Sequence, residues 1–328
     1  MSEIDVVRYS ETYKEKWDKF VLTNSVNGSF LQSRAFLEYH KDRFLDHSLL
    51  FLRGGNIIAV CPACEINEDG KKSFYSHLGS TFGGIVLGKE YYGITNAMGC
   101  VEALDEYLKN NGFNFVLVKC QNEIFSTENC NVLDYMFYRN GYSNYDELSF
   151  AVDFSNLKDG DVVMNFKSKT RNLYRTSLKN NLELRDLSTK EEIADFYKIL
   201  CKSLEKYKTK PVHSLDELYE LYFDRLPSYI RFYGVYSEGK MISGSMVFIL
   251  NNVFHTQYLA ADPECLYLKP MDFMDGSLII KAHEEGFKYF SFGISTEDHG
   301  HYLNENLAKF KEGFGTSFYI NKTFYKNI

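Results

Sequence analysis

Four groups of residues carry side chains whose types and spacing could do chemistry. Lys311 stands in Phe310-Lys311-Glu312-Gly313-Phe314-Gly315, a cation among rings and glycines. Held there by packing, it could stabilise a developing oxyanion or hold a phosphate; the plainer reading is a lysine snorkelling off a helix end. His255, Gln257 and Tyr258 fall on a strand expected over 253–260, where alternation puts His255 and Gln257 on one face and Tyr258 on the other. A histidine and a glutamine facing a cleft would orient an amine or an acyl carbonyl, and a hydrogen-bonded core histidine explains His255 equally well. Ser295, Thr296 and Glu297 follow a strand end through Gly293, where sites form in mixed sheets. Glu297 is the preferred general base, against a solvated loop acid. Lys167, Arg171, Arg175 and Lys179 recur every fourth residue in a helix expected over 162–180 and so form one stripe. In a chain of net charge −7 such a stripe points to an anionic partner, a nucleotide diphosphate or a lipid phosphate, unless it is simply a wet helix face. Lys169 and Arg171, at its start, with Arg175, are the candidate contacts.

Weaker candidates sit at turns. His213 precedes Ser214, which could cap a helix with Glu217 at the capping-box position; beside that N-terminus His213 could touch an anion, although a plain helix start is the favoured reading. Ser76-His77-Leu78-Gly79 and Thr81-Phe82-Gly83-Gly84 would let a ligand approach the backbone, and His77 is a site candidate on that ground; a tight packed turn explains the same glycines. The pair Cys61-Pro-Ala-Cys64 lacks the second pair or histidines of a zinc site and does not open a helix as a redox pair would. The seven scattered cysteines read as buried structural thiols, and no metal is expected. There is no Gly-x-Ser-x-Gly elbow, Walker loop, Gly-x-Gly-x-x-Gly after a strand, or zincin motif.

The elements that must position these residues form a repeated order. In the first half a strand and a helix around Trp17 lead to a short helix at 34–40, then strands at 48–52 and 57–66 joined by Gly54-Gly55-Asn56. A helix over 94–110 ends at Gly112 and a buried strand follows at 115–119. In the second half, helices at 162–180, 190–206 and 214–225 precede strands at 230–236, 241–250 and 253–260. A helix opened by Pro270 then closes at Gly286 before a strand at 288–292. Gly-Gly-Asn-Ile-Ile-Ala (54–59) answers Gly-Lys-Met-Ile-Ser-Gly (239–244), and Asn-Gly-Phe-Asn-Phe (111–115) answers Glu-Gly-Phe-Lys-Tyr (285–289). The order predicts a tandem α/β fold with mixed sheets, one domain over 1–155 and a second over 156–328 that carries the active site.

At 328 residues, 45% hydrophobic and 16% aromatic, the chain can bury two cores. Its acidic balance argues against a broad nucleic-acid surface. The first residues hold acids and no signal-like apolar core, and no uncharged apolar run has the roughly 20 residues that span a bilayer. A cytoplasmic protein is expected.

The string His255-Thr256-Gln257-Tyr258-Leu259-Ala260, the Pro270-led helix, Phe290-Ser291-Phe292-Gly293-Ile294-Ser295-Thr296-Glu297, and then Leu303-Asn304-Glu305 through Phe310-Lys311-Glu312-Gly313-Phe314-Gly315 occur in order. This series resembles the Fem-like branch of the GNAT superfamily, best over 165–318, and is most similar to its relatives in surface-polysaccharide biosynthesis. The resemblance implies two GNAT-like domains and transfer of an acyl group from acyl-CoA to an amine, with an amino sugar of a nucleotide- or lipid-linked precursor as acceptor. It implies an oxyanion or donor-phosphate role for Lys311. It adds Asn304 to the substrate-binding candidates, and Lys269 and Met271, either side of Pro270, as donor contacts. Two departures stand out. The stretch from Asp262 to Lys269 has no glycine where acetyl-CoA-dependent members carry a phosphate-binding loop, and no long heptad insertion resembles the helical arm of the tRNA-using Fem enzymes. An aminoacyl-tRNA donor and a non-catalytic glycan-precursor binder are the alternatives.

Overall fold

Helix stops and hairpin turns appear where glycine lets the backbone turn left-handed. Gly112 (φ +70°) and Gly286 (φ +82°) end the helices Ile94–Asn110 and Pro270–Glu284, and each is followed by a buried strand, Phe115–Lys119 and Tyr289–Ile294. The hairpins pair Arg53 with Asn56 and Ser237 with Lys240. The computed structural model describes residues 4–157, 160–205 and 208–328. It packs as two units, Met1–Glu147 with Ile320–Ile328, and Leu148–Tyr319. The division read from sequence was 155/156; in the structure it falls within the strand Ser143–Asp153.

In the first unit the strands Asp5–Arg8, Leu49–Arg53, Asn56–Cys61 and Val86–Leu87 form a four-stranded antiparallel sheet. The single strand expected over 57–66 is two strands, Asn56–Cys61 and Cys64–Glu68, in different sheets. Pro62 stands between them, and with no N–H it cannot continue a ladder. Cys61 and Cys64 flank this break as free, buried thiols, and burial pushes their pKa up to about 12 and about 11.

The second unit carries the site candidates other than His77. Its strands run Glu183–Leu187, Ile230–Ser237, Lys240–Leu250, Val253–Ala261, Tyr289–Ile294 and Ser143–Asp153, antiparallel throughout except for one parallel pair, Val253–Ala261 with Tyr289–Ile294. The helices Lys190–Glu205 and Pro270–Glu284 both pack on the central strands. The end expected for the former at Lys206 lies outside the described residues. Phe254, Phe290, Phe292, Phe314, Met274 and Leu278 lie at the centre of this core.

The helix expected over 162–180 is a single turn, Val162–Asn165, and a separate helix, Ser168–Ser177. Phe166 and Lys167 between them are extended (ψ 142° and 150°). The Phe166 ring is buried against Tyr174 and Phe314, and Lys167 N–H donates to the Gly313 carbonyl at 2.8 Å. Packing therefore interrupts what propensity would continue. The four-cation stripe is corrected with it: Lys167 caps the second helix, Lys179 lies past its end, and only Arg171 and Arg175 share a helical face.

Gly315 completes the same junction. It has φ +76°, its carbonyl accepts from Asn165 Nδ2 at 3.0 Å, and an added Cβ would lie 2.3 Å from the Asn165 carbonyl oxygen. Gly315→Ala is expected to destabilise the second unit by about 2–4 kcal/mol. Urea unfolding measures this, and an unchanged midpoint would contradict so close an approach.

Candidate functional site

The parallel strands Val253–Ala261 and Tyr289–Ile294 pair for only three positions, Val253 with Tyr289, Phe254 with Phe290 and His255 with Ser291. Both then carry a bulge. Gln257 is the extra residue between Thr256 and Tyr258, opposite Val247 and Met246, and Phe292 is the extra residue between Ser291 and Gly293. The strands part beyond His255 and Ser291, so the main chain of 257–261 is not laddered to its parallel neighbour. An opening at the C-terminal ends of parallel strands is where α/β sheets take ligands.

The bulge also changes which residues share a face. His255 lies opposite Phe248 and Tyr258 opposite Met246, two positions on one face of the adjacent strand. Tyr258 therefore joins His255, and the expected alternation fails because an inserted residue shifts the period by one. Tyr258 Oη is hydrogen-bonded to His213 Nδ1 at 2.7 Å, and burial pushes the phenol up to about 12. His213 is itself buried, beside a helix that Ser214 and Glu217 cap reciprocally.

Where the strands part, polar groups collect in an otherwise apolar interior. His255 Nδ1 lies 3.0 Å from Ser291 Oγ, which also accepts from Gly293 N–H at 3.3 Å. Thr256 Oγ1 donates to the Ser291 carbonyl at 3.1 Å. Lys311, on the helix Glu305–Gly313, is 5% exposed, and its Nζ donates to the carbonyls of Gly293 (3.2 Å) and Ile294 (2.5 Å). The lysine thus reaches inward and holds the end of the strand. Burial pushes its pKa down to about 7, with the charge of Asp275 acting in the opposite direction. Burial, with the nearby Lys311 charge, takes His255 down to about 4, so its imidazole is neutral at pH 7. Asp275, on the Pro270 helix, is fully buried, and neither carboxylate oxygen has a partner among the described residues. Its pKa lies well above the usual carboxylate range, chiefly through burial, with Asp272 adding and Lys311 opposing.

The other candidates lie around this cluster or away from it. Ser295 is buried and its Oγ has no partner among the described residues; Glu297 is exposed on the two-residue strand that pairs with Tyr302–Leu303. Asn304 Oδ1 accepts from Leu307 N–H and caps the Lys311 helix. Gln257 is half-buried at its bulge. Lys169 and Arg175 are exposed, and half-buried Arg171 donates to the Met164 carbonyl. Lys269 takes a left-handed conformation (φ +60°) as N-cap of the Pro270 helix, with Met271 half-buried in its first turn. His77 belongs to the first unit; it is buried, hydrogen-bonded through Nδ1 to the Leu78 carbonyl, and pushed down to about 4 by burial and by His40. Two surface cavities of about 470 and 320 Å³, one lined by Lys16, Lys19 and Lys89 and the other by Arg231, Lys281 and Glu285, contain none of these residues. Among the described residues no cluster of His, Cys, Asp and Glu could hold a metal ion, and no helix is long and apolar enough to cross a membrane.

Sequence reasoning missed Asp275, Ser291 and Thr256. Asp275 had a readable signal, since Leu278 and Ile279 stand three and four residues on and put it in the apolar stripe of its helix. Residues 165–302 match the family model for the acetyltransferase (GNAT) domain. Over that stretch the chain is similar to a GNAT acetyltransferase domain. The solved structure of FemX aligns over 99% of this chain and 97% of its own at a TM-score of 0.72 and 14% identity. The C-terminal domain of a putative lysylphosphatidylglycerol synthetase from Agrobacterium fabrum covers 97% of this chain and 93% of its own (0.64, 11%). A tandem GNAT protein from the clavulanic acid biosynthesis pathway covers 99% and 98% (0.56, 8%). A comparison with curated sequences finds no match. The fold is thus a tandem GNAT-like arrangement, similar over nearly the whole chain to that of FemX.

The buried bases make stability depend on pH with a definite sign. His255 titrates near 4 when folded and near 6.5 when unfolded, so between those values the unfolded chain binds more protons and stability falls as pH drops. His77 acts in the same window and direction in the first unit. Lowering the pH from 7 to 4.5 is expected to remove about 2 kcal/mol through His255, read by urea unfolding. His255→Gln should flatten that part of the profile; an equal slope in the variant would place the titration elsewhere.

Proposed function

We propose that the second unit transfers an acyl group from acyl-CoA to an amine, and that the acceptor is an amino sugar of a nucleotide- or lipid-linked precursor of a cell-surface polysaccharide. The observation that carries this reading is Lys311. Two of its N–H groups are committed to the carbonyls of Gly293 and Ile294 at the point where the strands part. When the lysine is an ammonium, its third N–H remains for a substrate oxygen. A donor placed at the end of a bonded strand, inside a protein, acts at low effective dielectric and is already oriented.

The remaining roles follow from position. The main chain of 257–261, laddered to Lys240–Leu250 but not to its parallel neighbour, would offer the N–H and C=O groups of its open side to an extended amide-bearing arm such as the pantetheine of CoA. The N-terminus of the Pro270 helix, with Lys269 and Met271, would face its phosphates. His255, neutral and bonded to Ser291, with Gln257, Tyr258 and Ser295, would orient the reacting groups rather than take the proton. Attack by the neutral amine forms the C–N bond, and collapse of the tetrahedral state breaks C–S. Glu297 is the carboxylate proposed to take the amine proton. Lys169, Arg171 and Arg175 would meet the acceptor's phosphates, His213 and Asn304 would line the approach, and His77 is kept only as an outlying substrate contact.

Aminoacyl-tRNA is the second reading, and one observation favours it. No acid stands between residues 162 and 180, and Lys169, Arg171 and Arg175 make no ion pair among the described residues.

Acetyl-CoA well above its dissociation constant is expected to raise the melting temperature more than tRNA does. Lys311→Met should then lower kcat at least about 100-fold while keeping that temperature within a few degrees, because the lost carbonyl hydrogen bonds are offset by removal of a desolvated cation from the interior. A shift with tRNA alone moves the donor to aminoacyl-tRNA, and a shift with neither makes the protein a binder of anionic glycan precursors. Wild-type turnover by Lys311→Met ends the catalytic assignment.

A further inference from the structure

The larger of the two surface cavities has no part in the roles above. It lies wholly in the first unit and has a volume of about 470 Å³, within the range of about 300–1,000 Å³ that small-molecule sites occupy. The helix Lys14–Thr23, the hairpin turn at Gly55-Asn56 and the turn Gly88–Tyr91 wall it. These walls are held without any ligand. Gly88 N–H donates to the Ile58 carbonyl at 2.9 Å, and Lys89 N–H donates to the Asn24 carbonyl at 2.8 Å. An added Cβ at Gly88 would lie 3.0 Å from the Phe20 ring, so the turn packs directly on the helix.

The charge of this cavity is one-sided. Lys16 and Lys19, three residues apart, share a helix face, and Lys89 comes from a separate wall. All three are exposed, and none makes an ion pair among the described residues. Lys89 Nζ donates to the Thr23 carbonyl at 2.9 Å, which occupies an end carbonyl of the helix. Among the described lining residues Glu90 is the one acid, and it pairs with none of the lysines. The smaller cavity is built the other way. There Arg231 meets Glu285 at 2.5 Å, and Lys281 lies 3.3 Å from Glu285 and 3.9 Å from Asp186. Its wall neutralises itself. The larger cavity keeps its cations unpaired in a chain where acids outnumber bases 44 to 37. Converging cations of this kind repel one another and attract an anion.

We propose that this cavity is a binding site for a phosphorylated sugar. Three lysines and one glutamate leave a net charge of +2, and a phosphate monoester carries about −1.5 to −2 at pH 7. The amides of Asn24 and Asn56, each both donor and acceptor, suit hydroxyl groups, and Ile57 and Tyr91 offer apolar surface to ring carbons. Phe20 is buried and Tyr91 half-buried, so neither presents an open face on which a nucleobase would stack. The proposal rests on this cavity alone and is independent of the acyl-transfer reading.

The test is equilibrium dialysis of the full chain with radiolabelled glucose 1-phosphate and glucose 6-phosphate, against inorganic phosphate and glucose. At least one sugar phosphate is expected to bind with a dissociation constant of about 1 mM or below, at least about tenfold more tightly than inorganic phosphate or glucose, and more weakly as salt is raised. The double variant Lys16→Ala, Lys19→Ala should weaken binding at least about tenfold. Both side chains are exposed, so it should keep the wild-type melting temperature. Lys281→Ala, in the self-neutralised cavity, should bind as the wild type does. Equal binding of inorganic phosphate overturns the sugar, and binding that survives the double variant overturns the site. Silence from both sugar phosphates overturns the proposal outright; if phosphatidylglycerol vesicles then bind through the same lysines, the surface faces a membrane instead.

Discussion

A parallel ladder is held by evenly spaced, slanted hydrogen bonds, and nothing in that geometry makes it stop after three residue pairs. In the second unit it stops because each strand takes on an extra residue, Gln257 on one and Phe292 on the other. The outer partners, Lys240–Leu250 and Ser143–Asp153, keep their antiparallel pairing across these bulges, while the two inner strands pair no further with each other. Every other feature of the site answers to that separation. Ser291 bonds His255 at the last paired position, and Lys311 holds the carbonyls of Gly293 and Ile294, which the parted ladder leaves available.

The lysine can do this only because its own helix is held from behind. Gly313, Phe314 and Gly315 end that helix against Asn165, Phe166 and Lys167, through two backbone-directed hydrogen bonds and a cluster of rings. The sequence Phe-Lys-Glu-Gly-Phe-Gly is then a single mechanical unit. The aromatics fix the helix, the glycines allow the close approach, and the lysine is carried into the interior as a consequence. Burial of its ammonium is the energetic price, and it is also what brings its pKa down to about 7.

Much of this was legible in the chain. The glycine stops at 112 and 286, the hairpins at 54–55 and 239, and the repeat itself are written in residues whose backbone preferences are strong, and the structure has these elements in order. Lys311 stood out because a cation among rings is unusual. What was not legible came from tertiary contacts. The break at Phe166-Lys167 has no proline or glycine to announce it and exists because Phe166 is drawn into the core. The bulge at Gln257 has no signature of its own, so the face of Tyr258 came out reversed. Pro62 was visible, and the strand was still read through it.

The two units bear on how a site arises within one fold. Both have a helix closed by glycine, a buried strand and a short second helix in the same spacing. In the first unit the corresponding interior is apolar, with Val101, Leu104, Met136 and Phe137 in one core. In the second the same framework carries Asp275, Lys311, His255 and Ser291. Since the first unit closes with apolar residues there, the polar cluster is not something the architecture demands. It opposes the stability of the second unit, and a destabilising feature confined to the place where two strands part is where physical chemistry locates function.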